Sequence, residues 1–326
     1  MRLKKIRSAP FERPGRGSLK LLCLAVALAF TTSLTIRAGD ICYDLNTDPA
    51  GQFVLVSTPA GTAAWQATGG VGGSGCIKLL DNTGQSCAVL FPDFDAGLVV
   101  ASFEFSCMIK CGDWYNSSPA DGFSVNYCSA NDPIITVIEV DGNDPGRGAT
   151  AQTASGENGW GGTADVGGTE VNLPEEGTKT GLAVGFDTWG YGTAPVGGSN
   201  GAEDARGISV RVDNVLIDQI PMPDVLFAQD YDFLGDATTL ITGGFTCGPD
   251  PNNGNVGDLS CLPGGALPAT GEALLWAPLR MTVDEGGILN VFWKDVNIVE
   301  NADTGFAPRP GRILFGGSTG GAMMYT

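Results

Sequence analysis

Alternation of apolar and polar residues along short segments is the feature that most constrains the fold of this chain. In residues 208–213, ISVRVD, the apolar side chains recur at every second position, and residues 122–128 and 182–187 repeat the pattern. A period of two is that of a β-strand, whose successive side chains point to opposite faces of a sheet. Residues 288–299 likewise predict two strands joined by a turn at Lys294 and Asp295.

Glycine-rich segments separate these alternating stretches. The chain has 49 glycines, clustered for example at residues 69–75, 159–168 and 190–201, as is typical of turns between short strands. Outside the N-terminal region, no long stretch shows the apolar periodicity of a helix. The combination predicts an all-β sandwich or barrel. Residues 39–326 are expected to form one domain with long insertions at 129–175 and 221–270.

The first 38 residues are predicted to be a signal peptide. A basic beginning is followed by an apolar run at residues 21–34, which is shorter than the ~20 residues that a membrane span needs. Ala38 is the expected cleavage point. The protein is therefore expected to be secreted, periplasmic or at the cell surface, with no membrane segment after cleavage. An uncleaved N-terminal anchor is the alternative.

Charge and the lack of histidine exclude several functions. The chain has 18 basic and 36 acidic residues. The predicted signal peptide contains 8 of the basic residues and one of the acidic residues, so residues 39–326 have a net charge of −25. Such an acidic surface repels nucleic acids and anionic membranes, but it suits neutral ligands, divalent cations or simple solubility. Without histidine there is no Ser-His-Asp triad, no Cys-His pair and no histidine-ligated zinc.

Cysteine usage predicts disulfides. Apart from Cys23 in the leader, eight cysteines remain, and an even number in an exported chain favours bridges. Cys247 and Cys261 flank a polar loop, which a disulfide between them would stabilise. Cys76 and Cys87 would face each other and could form a second disulfide if residues 76–87 form a hairpin. Three pairings stay open for the remaining four, which are Cys42, Cys107, Cys111 and Cys128.

Four motifs in order carry a resemblance to a known family. They are ADGFSVNY at 120–127, GLAVGFDTW at 181–189, RGISVRVDN at 206–214 and GRILFGGSTGG at 311–321. This sequence resembles the concanavalin A-like lectin/glucanase superfamily, and most of all an L-type (legume-type) lectin domain. The resemblance implies a jelly-roll β-sandwich of two antiparallel sheets, whose front-sheet rim loops bind sugars. It also implies a closing strand after STGG, and since five residues follow this motif in the sequence, the last strand of the domain is expected to be missing.

The resemblance assigns roles to two acidic residues. Asp121, followed by Gly122, matches the aspartate that accepts hydrogen bonds from sugar hydroxyls; the alternative is that it bonds only to its own loop. Asp187 matches an aspartate that bridges two metal ions. However, Gly185 stands where a glutamate ligand belongs, and the following loop has neither the asparagine nor the second aspartate. No cofactor is therefore expected, and a single Ca²⁺ would need help from Asn200, Glu203 or Asp204.

Aromatic residues supply a second kind of candidate contact. Trp189 and Tyr191 follow the strand predicted at residues 182–187 and are predicted to stack on sugar rings; the alternative is that they cap the rim as part of the core. Trp160 fits either role, whereas Trp276 and Trp293 lie in strand patterns and are expected in the core.

Three classes of function follow from these patterns. The favoured hypothesis is a non-catalytic carbohydrate-binding protein that recognises a glycan or polysaccharide at the sheet rim. A glycoside hydrolase of the same superfamily would need paired carboxylates, and only Glu139, Asp141 and Asp144 approach that pattern, in what is predicted to be a solvated turn. A structural or adhesive surface protein without a sugar site is the third class.

Overall fold

The computed structural model describes residues 2–4, 41–49, 51–112, 121–141, 159–161, 164–166, 169–171, 173–188, 207–222, 237, 240, 242 and 275–319. The strands in chain order are β1 (Arg2–Lys4), β2 (Ile41–Cys42), β3 (Val54–Thr58), β4 (Ala64–Gln66), β5 (Cys76–Lys78), β6 (Ser86–Leu90), β7 (Phe103–Ile109), β8 (Gly122–Ser129), β9 (Ala164–Val166), β10 (Thr169–Val171), β11 (Leu182–Asp187), β12 (Gly207–Val212), β13 (Val215–Pro221), β14 (Ala277–Val283), β15 (Ile288–Trp293), β16 (Val296–Asp303) and β17 (Gly311–Ser318). Helical turns are short: α1 (Pro133–Thr136), a π-helical turn (Val137–Asp141) and 3-10 turns at Val71–Gly73 and Pro174–Glu176.

Two large antiparallel sheets contain most of these strands. The front sheet has the order β13-β12-β11-β8-β17-β6-β3, and the back sheet has the order β16-β15-β14-β7-β1-β2. Two small ribbons, β4-β5 and β9-β10, complete the described sheets. The predicted β-sandwich of two antiparallel sheets is confirmed by this strand pairing.

The core lies between the two sheets and follows the alternation seen in the sequence. On β14, Leu279, Met281 and Val283 are buried while Arg280 and Thr282 are half-buried, so every second side chain points inward. Aromatic rings join the layers: Phe123 and Phe186 stack with centroids 4.6 Å apart, and Phe186 meets Trp293 of the back sheet at 5.9 Å.

Tight turns fix the register of neighbouring strands. Lys294 and Asp295 both adopt positive φ (51° and 64°) between β15 and β16, which confirms the predicted turn. Asp213 and Asn214 do the same between β12 and β13 (49° and 65°). Two successive residues of positive φ match the right-handed twist of the strands that they join.

The predicted hairpin at residues 76–87 is wrong, and the Cys76–Cys87 bridge with it. β5 pairs with β4 in a small ribbon, whereas β6 lies inside the front sheet between β17 and β3. Cys76 is a free thiol whose Sγ lies 3.6 Å from the Thr68 carbonyl oxygen. A polar turn predicts that the chain reverses, but it does not say that the two flanking segments pair with each other.

The N-terminal region has one described element. β1 lies within the predicted leader and pairs with β7 on one side and β2 on the other. Residues 5–40 lie outside the described part of the chain. Among the residues described, no helix has the length and apolar character needed to cross a membrane.

Candidate functional site: the rim of the front sheet

The candidate site begins where β8, β11 and β17 come together at one rim. Gly122, the first residue of β8, is paired with Asp187, the last residue of β11, and on its other side with Ser318 at the end of β17. Asp121 immediately precedes β8. The two acidic residues singled out in the sequence therefore lie on neighbouring strands at the same end of one sheet.

Backbone hydrogen bonds clamp Asp121 between its two neighbouring strands. The amide and hydroxyl of Thr188 both donate to the Asp121 carbonyl oxygen, at 2.8 and 2.7 Å. On the opposite side, the Asp121 amide donates to the Ser318 carbonyl oxygen at 3.0 Å. These three hydrogen bonds fix the main chain of Asp121, so its carboxylate is attached to a rigid segment of backbone.

Acidic side chains at this rim are almost completely buried. Asp121 is 2% exposed, and Asp187 and Glu175 are each 1% exposed. The Ser318 hydroxyl lies 2.6 Å from Glu175 Oε2 and 3.4 Å from Asp121 Oδ2, and because a serine has a single hydroxyl proton, it donates to the nearer oxygen. The geometry thus brings two of these carboxylates, those of Glu175 and Asp121, to one hydroxyl inside the protein.

A part of the chain lies over the outer face of the front sheet. This cover comprises residues 132–141, 159–161 and 173–178. The Ser124 hydroxyl donates to the Pro174 carbonyl oxygen at 2.6 Å, and Asn126 Oδ1 accepts from the Thr178 amide at 3.2 Å. Every residue of β8 is consequently buried, including the polar ones that alternation alone would place in solvent.

Trp160 is the largest side chain of the cover and is 0% exposed. Its ring packs so closely on Gly316 of β17 that a Cβ there would lie 2.4 Å from the indole Cη2. It belongs to a second apolar cluster with Leu90, Ile134 and Leu314. Trp160 is therefore a packing residue in this structure. Trp293 is buried as predicted, whereas Trp276 is only half-buried, so its predicted place in the core is wrong.

An ion pair fastens the turn at Pro174–Glu176 to the sheet. Arg211 Nε donates to Glu176 Oε2 at 2.8 Å, and the side chains are 2% and 1% exposed. The Ser209 hydroxyl donates to the same oxygen at 3.2 Å. Next to them, a Cβ on Gly185 would lie 2.5 Å from Ser209 Oγ, so this position has no room for the glutamate that the family resemblance would require.

Asp132 secures the beginning of the cover. Its Oδ1 accepts from the Ile134 amide at 2.9 Å, and its Oδ2 accepts from the amide and hydroxyl of Thr180 at 2.8 and 2.6 Å. Burial raises the pKa of this carboxyl, and the hydrogen bonds from Thr180 and Ile134 only partly oppose that shift. The cover therefore carries a titratable group at its first turn.

The carboxylate pattern considered for a hydrolase takes a different form. Glu139 and Asp141 lie in the π-helical turn Val137–Asp141, and residues two apart in a helix do not share a face. Glu139 is ion-paired with Arg312 of β17. Asp144 lies outside the described residues.

Several predicted site residues cannot be placed. Trp189, Tyr191, Cys247 and Cys261 lie outside the described part of the chain, as do Asn200, Glu203 and Asp204. Within the described residues, no group of three or more cysteine, aspartate or glutamate side chains is arranged to hold a metal ion. The sugar-binding roles of Asp121, Gly122 and Asp187 remain predictions.

Sequence reasoning missed the cover and the acidic residues on it. Glu175 and Glu176 stand in NLPEEGTKT, a polar segment that reads as a surface loop. One signal was available: glycines inside strands, as at 185, 316 and 317, often mark places where another backbone approaches closely. That signal locates a contact, but it does not identify the segment that makes it.

Comparisons with known proteins give a broad likeness. No protein-family model matches the sequence, and no curated protein matches it. Among solved structures, the chain is similar to the VIP36 exoplasmic/lumenal domain in its Ca²⁺-bound form, with 11% identity, 86% of each chain covered and a TM-score of 0.38. The Ca²⁺/mannose-bound form has 11% identity, 84% and 82% coverage and a TM-score of 0.37. A lectin from Bauhinia forficata in complex with GalNAc has 13% identity, 85% and 90% coverage and a TM-score of 0.35. The two-sheet architecture stands on this chain's own strand pairing.

Proposed function

We propose that this chain is an exported, non-catalytic carbohydrate-binding protein that recognises a neutral glycan or polysaccharide at the rim formed by Asp121, Gly122 and Asp187. The observation that carries the proposal is the register Asp187↔Gly122, which brings both acidic residues to one end of the front sheet. The fixed main chain of Asp121 supports it further, because a preorganised acceptor loses little entropy when a ligand binds.

The cover directs the proposed site to the rim. Trp160 and the turn at Pro174–Glu176 occupy the outer face of the front sheet, so a polysaccharide cannot lie along that face as it would in an open cleft. The net charge of −18 for the whole chain favours neutral over anionic sugars. The 2% exposure of Asp121 adds a condition: side chains at the rim must move before its carboxylate meets a hydroxyl.

Glycan-array binding by the wild-type chain and by Asp121→Asn tests the proposal. Charged hydrogen bonds contribute about 1.5–3 kcal/mol, so the isosteric change is expected to weaken binding by about 10- to 100-fold. Asp218→Asn is the matched control, since Asp218 is an exposed acid on the edge strand β13. Near-UV circular dichroism confirms that both variants keep the native packing.

Two results would overturn the sugar-binding proposal. The first is a folded wild-type chain that binds no glycan on the array. The second is Asp121→Asn binding with the affinity of Asp218→Asn, because the acid would then contribute nothing to recognition.

The burial of Asp121 favours a second candidate, a structural or adhesive surface protein without a sugar site. In that role the contact between Asp121 Oδ2 and Ser318 Oγ serves stability alone. Asp121→Asn would then lower the urea midpoint of unfolding while no glycan binds. A stability loss together with measurable sugar affinity in the wild type would exclude this candidate.

Export depends on residues 1–38 acting as a cleaved leader and forms a separate part of the proposal. Cleavage after Ala38 would also remove β1 from its place between β7 and β2. Mass spectrometry of protein from the culture medium should find a chain that begins at residue 39. A secreted chain that retains Arg2–Lys4 would contradict the cleavage.

A further inference from the structure

A cavity of about 270 Å³ lies between the two sheets, and its lining includes none of the rim residues Asp121, Asp187 and Ser318. Its walls come from both sheets: Val89 and Phe315 belong to the front sheet and Ile109 belongs to the back sheet. Leu79 and Phe91, which are 7% and 2% exposed, complete the apolar interior. The interior therefore suits an apolar group that is excluded from water.

Two cysteines in the cavity add no charge to it. Burial raises the pKa of Cys107 to about 12. Burial also raises the pKa of Cys76, and the positive charge of Lys110 only partly opposes that shift. Both thiols are accordingly protonated at neutral pH, and the walls stay uncharged.

Lys110 provides a positive charge at the mouth of the cavity. Its Nζ lies 5.2 Å from the ring centroid of Trp276, whose indole Nε1 donates to the Gly69 carbonyl oxygen at 3.2 Å. No carboxylate of the described residues forms an ion pair with Lys110, although acids outnumber bases two to one in this chain. By contrast, Lys78 is paired with Asp81.

Asp44 is the competing charge at the same mouth. It is exposed, and its Oδ1 already accepts the Asn46 amide at 3.0 Å. Since it faces solvent, its field is screened more strongly than that of a buried carboxylate. Of the two charges at the mouth, that of Lys110 therefore has the larger effect, and it favours the binding of an anion close to its ammonium group.

We propose that this cavity binds an aliphatic monocarboxylate of medium length, with its carboxylate on Lys110 Nζ and its chain among the apolar side chains of the interior. Liquid water occupies about 30 Å³ per molecule, so a space of this size holds roughly nine non-hydrogen atoms. Octanoate has about this size. The site is independent of the proposed sugar-binding rim.

Isothermal titration of the full chain with octanoate, hexanoate and 1-octanol tests the inference. Octanoate is expected to bind about 15-fold more tightly than hexanoate, because each buried methylene contributes about fourfold. It should also bind more tightly than 1-octanol, which has the same chain but no charge for Lys110. If the wild-type chain gives no octanoate binding up to the solubility limit, or binds acid and alcohol alike, the inference is wrong.

Two variants separate the charge from the cavity. Lys110→Met keeps an apolar stem and should reduce the affinity for octanoate to that for 1-octanol, whereas Lys179→Met, outside the cavity, should leave both unchanged. Ile77→Trp, at a half-buried wall position, should weaken both ligands at least tenfold by filling the space. A Lys110→Met chain that keeps the preference for the acid overturns the inference, even if Ile77→Trp fails to fold.

Discussion

The ion pair between Arg211 and Glu176 is the contact whose removal the structure predicts most sharply. The two side chains are 2% and 1% exposed and meet at 2.8 Å, so Arg211→Met leaves the Glu176 carboxylate buried without this charge partner. Breaking a buried pair from one side typically costs about 3–5 kcal/mol. A native domain is stable by only about 5–15 kcal/mol, so the loss would be a large fraction of the total.

Urea unfolding followed by circular dichroism measures this loss. With a slope of about 3 kcal/mol per molar for a domain of this size, the midpoint should fall by about 1–2 M. Lys78→Met is the control, because its pair with Asp81 is 24% and 34% exposed and should contribute less than about 1 kcal/mol.

The double variant Arg211→Met/Glu176→Leu checks the physical cause. Replacing both charges with apolar groups removes the unpaired charge, so much of the lost stability should return. If Arg211→Met lowers the midpoint no further than the Lys78→Met control does, the buried pair does not hold the turn at Pro174–Glu176 against the sheet, and the reasoning fails.

Three further changes address the cover and its attachments. Gly316→Ala should destabilise the chain by about 1–3 kcal/mol in urea unfolding, because the new Cβ would lie 2.4 Å from the Trp160 ring; a neutral outcome would show that the ring moves freely. Burial raises the pKa of the Asp132 carboxyl, so the folded state keeps the proton of this group to a higher pH than the unfolded state does. The free energy of unfolding of the wild type, relative to that of Asp132→Asn, should therefore fall as the pH rises above 3.8 and through the folded pKa. Parallel stability curves for the two proteins from pH 4 to 6 would refute this. Burial also acts on the Asp213 carboxyl, but hydrogen bonds and the charge of Arg309 outweigh it and lower the pKa, so the stabilisation is present above 3.8 and should be lost on acidification below it. Since Asp213 is 47% exposed, Asp213→Asn should remove less than about 1 kcal/mol of that dependence, measured by thermal melts from pH 4 to 2.

Much of the sandwich was predictable because its information is local. Alternation at residues 182–187 and 208–212 specifies strands whatever surrounds them, and the turn at Lys294 and Asp295 joins segments that are adjacent in the chain. No local rule selects β11 as the partner of β8, because roughly 50 residues separate the two strands in the chain.

The site was less predictable because it depends on contacts between distant segments. Cys76 and Cys87 are eleven residues apart yet belong to different sheets. Glu175 stands in a polar segment that predicts a surface loop, but the hydroxyl of Ser318, 143 positions away, donates to its carboxylate inside the protein.

The positions of many strands and the apolar face of each can be predicted from the amino-acid sequence, because backbone geometry imposes a period of two on any strand that is buried on one side. Whether the opposite face is exposed or buried depends on which distant segments pack against it. Ser124 and Asn126 carry the polar pattern of a solvated surface, and they are buried because the cover supplies hydrogen-bond partners for them. A buried polar group is tolerated wherever its hydrogen bonds are satisfied, and such partners come from residues that the pattern of one strand cannot specify.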